Sequence, residues 1–199
     1  MKLDDLLAGL DKMLHRLNSL PGDPPGMRCY GAETEGASIF LTAAPIEGSK
    51  AMPFDNPTAV VNGIHDALAD DQGLVEVTNG SIGDCGRYIY SVVKTAGQPN
   101  GVQYCLTLHL DVNGEQAAIQ GFFSERGVTG MRDATVLEQC VRAGTINPPD
   151  MDGWTFDPYD PTRRHGFLMN QSERAEYDHA FPMHPLSELR KMVRALVCC

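Results

Sequence analysis

Residues 102 to 123 read Val102-Gln103-Tyr104-Cys105-Leu106-Thr107-Leu108-His109-Leu110-Asp111-Val112-Asn113-Gly114-Glu115-Gln116-Ala117-Ala118-Ile119-Gln120-Gly121-Phe122-Phe123. Apolar and polar residues alternate with a period of two, which sends alternate side chains to opposite faces of a strand. Val102, Tyr104, Leu106, Leu108 and Leu110 therefore share a buried face, and Gln103, Cys105, Thr107, His109 and Asp111 a wetter one. Asn113-Gly114 tolerates the positive φ angles of a tight hairpin turn, so Glu115 to Phe123 is predicted to pair antiparallel with Val102 to Val112. Upstream, Arg87 to Lys94 alternates in the same way, and Leu74 to Thr78 is a shorter β-type run that Asn79-Gly80 is expected to end. Four consecutive strands make a meander, and its apolar face needs a cover.

Helices on either side in sequence supply that cover. Pro57 suits a first helical turn, and Val60, Ile64, Ala67 and Leu68 recur at helical spacing before Asp70-Asp71-Gln72-Gly73. After the meander, Asp133 is positioned to cap a helix carrying Val136, Leu137, Cys140 and Val141, with Gly144 beyond its end. A last helix begins near Pro185 with the stripe Leu186, Leu189, Val193, Leu196 and Val197. Its cations Arg190, Lys191 and Arg194 lie toward the negative end of the helix dipole. Leu3, Leu6, Leu7, Leu10, Leu14 and Leu17 give an amphipathic helix over residues 1–20. The proline-rich segment after it reads as a stiff linker over 21–36, leaving 37–199 as one α+β domain.

Composition narrows the function. The chain has 199 residues, 42% of them hydrophobic, and a net charge of −10, which would repel phosphate backbones and anionic membrane surfaces. Nucleic-acid and membrane partners are excluded on that ground. No apolar run approaches a membrane helix and the first residues lack a signal peptide's pattern, so the expected compartment is the cytoplasm. Cys29, Cys85, Cys105 and Cys140 are isolated within apolar segments and read as buried reduced thiols, while Cys198-Cys199 reads as an exposed terminus.

Chemistry-bearing motifs are sparse. No Gly-x-Ser-x-Gly elbow, phosphate loop or dinucleotide fingerprint occurs, so no cofactor is expected. Cys105 and His109 share a strand face, but four residues of strand span about 13 Å, too far for a nucleophile and its base. Asp150, Asp152, Asp157 and Asp160 surround Trp154 among prolines; Gly153 falls at the fourth position from Asp150 where an EF-hand loop needs it at the sixth, the closing glutamate is missing, and the segment reads as an acidic surface loop. Asp178, His179 and His184 have metal-ligand side chains, with His165 nearby, although Pro182 and Pro185 prevent one continuous helix face. The competing structural reading is a packed corner, with Ser172 capping a short helix and Tyr177 and Phe181 packing down. Glu125, Arg132 and Asp133 sit at a strand-to-helix junction, where loops carry binding, or else form an internal ion pair. His165 and His184 complete the candidate binding set if a pocket brings them to an acid.

The helix at 57–70, Gly73-Leu74-Val75-Glu76-Val77, the strands from Tyr88 to Leu110, Gly121-Phe122-Phe123-Ser124-Glu125 and Thr129-Gly130-Met131-Arg132-Asp133 resemble, in that order, the PsbP-like fold over residues 37–142. The resemblance implies an α/β/α sandwich, an antiparallel sheet between helices. Members of that superfamily are mostly accessory or adaptor proteins without catalysis, and the resemblance places this chain among its bacterial cytosolic members of unknown function. It assigns no functional residue, and the tail from Trp154 onward has no counterpart in that fold. Two function classes follow: a noncatalytic soluble module binding a protein partner or a second copy, with the leucine-rich first helix as contact, or a small metal-dependent or cysteine/histidine hydrolase. The alternative for that helix is packing on its own core.

Overall fold

The computed structural model describes residues 2–46, 52–97 and 101–198; Cys199 lies outside the described residues. Seven strands form one antiparallel sheet: β1 (His15–Leu17), β2 (Arg28–Glu33), β3 (Ala37–Pro45), β4 (Gln72–Ile82), β5 (Gly86–Ala96), β6 (Val102–Val112) and β7 (Glu115–Glu125). Their order across the sheet is β1-β2-β3-β7-β6-β5-β4, so the meander from β4 to β7 adds its last strand to a first unit made of β1 to β3. Helices α1 (Leu3–Leu7), α2 (Pro57–Ala67), α3 (Met131–Arg142) and α4 (Pro185–Val197) flank it, and a two-stranded ribbon joins β8 (Thr155–Phe156) to β9 (Met169–Asn170). This is the expected α+β architecture, with helices at both ends of the chain.

The hairpin at residues 113 and 114 has the expected form. Val112 pairs with Glu115, and Asn113 and Gly114 carry φ of 53° and 85°. A Cβ added to Gly114 would meet nothing within 4 Å, so the position demands only its left-handed backbone. Replacing Gly114 with Ala is expected to cost about 1–2 kcal/mol, the penalty of that backbone for an L-residue. A urea midpoint unchanged from the wild type would disprove the turn geometry.

Tyr104, Leu106, Leu108 and Leu110 are buried as the alternation requires, in one core with Leu41, Ile119 and Phe123 and with the α4 stripe Leu186, Leu189, Val193, Leu196 and Val197. On the opposite face α2 covers only β4 and β5, where Val61 and Phe54 pack with Leu74, Val77 and Ile89.

Several expectations give way. The amphipathic helix over 1–20 is a five-residue α1, a 3-10 turn at Leu10–Lys12 and strand β1. Leu3, Leu6, Leu7, Leu10 and Leu14 are all buried in the chain's own core, so they form no free helix-pairing seam. The stretch read as a linker contains β2, whose Tyr30 is fully buried opposite Leu41. Asn79-Gly80 does not end β4: Gly80 is cross-strand from Tyr88, and a Cβ there would run into the tyrosine ring.

The most consequential departure is a bulge in β4. Leu74 opposes Val93 but Glu76 opposes Val92, so Val75 is an extra residue. Counting by twos from Leu74 would put Glu76 on the α2 side; the inserted residue turns it to the α4 side, because a one-residue shift exchanges the faces. The outer edge of β4 is guarded as well. Tyr159 Oη accepts from Val77 N and donates to Val77 O, and Phe167 N donates to Gln72 O. Those contacts occupy part of an edge that is otherwise open to pairing with another chain.

Candidate functional site

The site lies where β7 ends. Beyond Glu125 the chain reverses through Gly127 and Gly130, at φ of 74° and 71°, and enters α3 with Arg132 in its first turn. From the other side, Phe181-Pro182-Met183-His184 leads into α4, with Pro185 at the first helical position and His184 as cap. Leu186 N donates to His184 Nδ1 at 3.3 Å, which leaves Nε2 to carry the proton toward Glu125 Oε1, 3.6 Å away. Glu125 Oε2 accepts from Val102 N and Oε1 from Gly130 N, so one carboxylate ties together the start of β6, the turn before α3 and the start of α4.

Arg132 is completely buried and uses every donor it has. Nε donates to Ser172 O at 2.7 Å, one terminal nitrogen to Ser187 Oγ and toward His184 Nδ1, and the other to Arg174 O and Asp178 Oδ1. Asp178 Oδ1 also receives Arg190, whose other contacts are Glu76 Oε2 at 2.6 Å and Glu173 O. Glu173 takes Lys94 Nζ at 2.8 Å, Tyr104 Oη at 2.9 Å and Asn170 N at 2.7 Å. Asp133 accepts from Asn170 Nδ2 and Ser172 Oγ. Burial, reinforced by Glu173, pushes the Tyr104 phenol well above its ordinary pKa, so it remains a donor. The result is an ionic core beneath α4 that ties the carboxyl-terminal corner to the sheet.

Above this core a cleft of about 530 Å³ opens between the β7–α3 turn and the 180–184 corner. Glu125, Arg132 and His184 line its inner end; Val128, Met131 and Met183 stand exposed in its walls, with Glu35 at the lip. Gly36 lets the β2–β3 turn lie directly against the Met183 carbonyl, where a Cβ would collide.

Burial would raise the Glu125 pKa, but the neighbouring His184 ring and the hydrogen bonds from Gly130 N and Val102 N outweigh it and hold the carboxyl below its ordinary 4.5. A pKa lowered by folding adds stability that is complete above 4.5 and is lost as pH falls through the folded value. The stability gap between the wild type and Glu125→Gln is therefore expected to shrink from neutral pH to pH 3. A gap that stayed constant in chemical denaturation across that range would refute this role.

Of the sequence-derived candidates, Glu125, Arg132, Asp133, His184 and Asp178 come together. His165 is exposed, forms no hydrogen bond or ion pair among the described residues, and does not line the cleft. The trio Asp178, His179 and His184 is split. His184 lines the cleft, whereas Asp178 and His179 line a separate shallow pocket beside Lys191 and Arg194, whose charges oppose a cation. Among the described residues no three of His, Cys, Asp and Glu converge as a metal site would require.

Other expectations are corrected in detail. Asp133 does not cap α3, whose cap is Gly130; Asn170, not Ser172, caps the 3-10 turn at Gln171–Glu173. Asp157 is no surface residue: it is buried, 3.0 Å from His65 Nε2, and accepts from Tyr159 N and Asp160 N. Arg190 is not in the last turn of α4, where Arg194 lies; it is buried against Glu76 and Asp178. Its position was open to inference, since it falls three residues before Val193 and four after Leu186 on the apolar stripe, and Lys94 shares parity with Tyr90 and Val92.

No helix among the described residues is long and apolar enough to cross a membrane. Compared with known proteins, the chain matches no family model and no curated protein.

Proposed function

We propose that the chain is a noncatalytic accessory module that holds a protein partner in the cleft between the β7–α3 turn and the 180–184 corner. The observation that carries this reading is the saturation of the cleft's inner end. His184 stands between Glu125 and Arg132, and all three side chains are held by backbone groups, which leaves the apolar walls as the contact surface. Val128, Met131 and Met183 suit an inserted apolar side chain, methionines adapting readily to its shape. Glu35 at the lip makes no hydrogen bond or ion pair among the described residues, and the chain is strongly acidic, so the segment bound is an apolar residue flanked by Lys or Arg. The PsbP-like assignment belongs to the same proposal, supported by the helix, meander and helix in the order noted from the sequence. The rival hydrolase reading lacks such support: among the described residues no Ser, Thr, Cys or Lys lines the cleft to act as a nucleophile, and no three potential ligands converge on a metal.

The test is selection of random displayed peptides on the wild type with counter-selection on Met131→Asp/Met183→Asp. An enriched apolar residue flanked by basic ones, lost on the double variant, is the expected result. Enrichment that survives the substitutions, or no enrichment, overturns the cleft as the contact.

A further inference from the structure

The second face of the sheet is only partly closed. α2 covers β4 and β5, but on β1, β2, β3, β7 and β6 no described residue covers that face, with Leu17, Phe40 and Phe122 exposed by 42%, 43% and 40%. Phe40 and Phe122 are cross-strand neighbours in the middle of the bare area. Charges are confined to its margins and are already paired, Arg87 with Asp55 and Asp111, and Arg126 with Glu33. Burial lowers the His109 pKa and raises that of Cys105, so both of these side chains are neutral at physiological pH. A chain of net charge −10 thus presents one broad surface whose middle carries no charge and whose marginal charges are paired, on which an identical chain meets little local repulsion and a basic partner finds no free counter-charge.

The shape of the face selects the occupant. A helix lying on a sheet is about 10 Å thick, and a second sheet packs face to face at about the same distance. Each chain is therefore a step, with five bare strands on one level and α2 one layer higher beside β6. Consider a second copy turned about a two-fold axis running along the strands, midway between the sheets. Its bare strands lie over those of the first copy, and each α2 comes alongside the short β1 edge of the other copy. The step is complementary to itself.

We infer that the open face of β1, β2, β3, β7 and β6 is a homodimer interface, closed by a second copy of this chain in a two-fold face-to-face sandwich. The five strands hold 3, 6, 9, 11 and 11 residues. At about 16 Å² of sheet per residue they present roughly 600 Å² per copy, at the lower bound for a specific interface before α2 adds its contact with the partner edge. The interface shares no residue argument with the cleft and stands whether or not that site binds a partner.

Sedimentation of the full chain between about 1 and 100 µM tests the inference. The expected outcome is a species of twice the 21.7 kDa chain mass, with Phe40→Glu and Phe122→Glu remaining monomeric throughout the range. Both side chains are exposed in the single chain, so the far-UV circular dichroism of each variant should match the wild type. Phe40→p-benzoylphenylalanine in the otherwise native chain gives a second readout, a covalent dimer on irradiation. A wild-type monomer at 100 µM, a dimer that persists in both Glu variants, or absence of the photo-crosslink overturns the inference.

Discussion

Deleting residues 1–20 is expected to leave a chain with no cooperative unfolding transition. Leu3, Leu6, Leu7, Leu10 and Leu14 retain at most 9% of their surface and pack in the same core as Leu106, Leu108 and the α4 stripe. At about 1.5–3 kcal/mol for each buried leucine, their loss removes roughly 10 kcal/mol, comparable with the whole stability of a typical domain. The deletion also strips β1 from β2, exposing the backbone of Cys29 to Gly31 along a new edge. The milder Leu10→Ala should cost about 2–5 kcal/mol and remain measurable by urea titration. A truncated chain that is monodisperse, with native circular dichroism and a sharp melt, would show that these leucines do not serve the core.

Glu173→Gln is the second large effect. Glu173 and Lys94 are each 1% exposed at the side chain and 2.8 Å apart, with Tyr104 Oη on the second oxygen and the Lys94 ammonium also over the Phe167 ring at 4.2 Å. Neutralising the carboxylate keeps its shape but strands a buried ammonium, which costs about 3–5 kcal/mol. For a chain of this size that is a fall in melting temperature of roughly 6–20 °C. The pair itself is a weaker source of stability than its removal suggests, because its own desolvation offsets much of the attraction. Lys94→Met combined with Glu173→Gln should therefore recover most of the loss, and a double variant as unstable as the two single changes summed would contradict the pairing.

The sequence disclosed the parts of this molecule that obey a simple period. Alternation from Val102 to Val112, the Asn113-Gly114 turn and the α4 stripe are local signals, and local signals survive folding. Ala37, Ile39, Leu41 and Ala43 carry the same alternation in β3, although no turn signal like Asn113-Gly114 ties that strand to its neighbour β7, which lies far away in sequence. What was not legible depends on contacts between distant segments. Leu14 and Leu17 continue a helical spacing, yet pairing with β2 draws His15–Leu17 into a strand. The candidate site divides similarly. Glu125, Arg132, Asp133 and His184 were singled out for their positions at turns, while Glu173 and Glu76 were missed. Glu173 falls in the short helix of a packed corner, where nothing local marks it as the partner of Lys94, and the parity of Glu76 is reversed by the single extra residue at Val75.

That extra residue has a consequence for how the chain can find its fold. Arg190 closes on Glu76 only if the ribbon of β4 and β5 has zipped up with Val75 bulged out. In a ribbon aligned without it, the carboxylate would stand on the wrong side and the guanidinium of the last helix would be buried without that countercharge. The carboxyl-terminal helix thus acts as an inspector of strand alignment, docking firmly on a sheet whose registry is correct and poorly on one that has slipped.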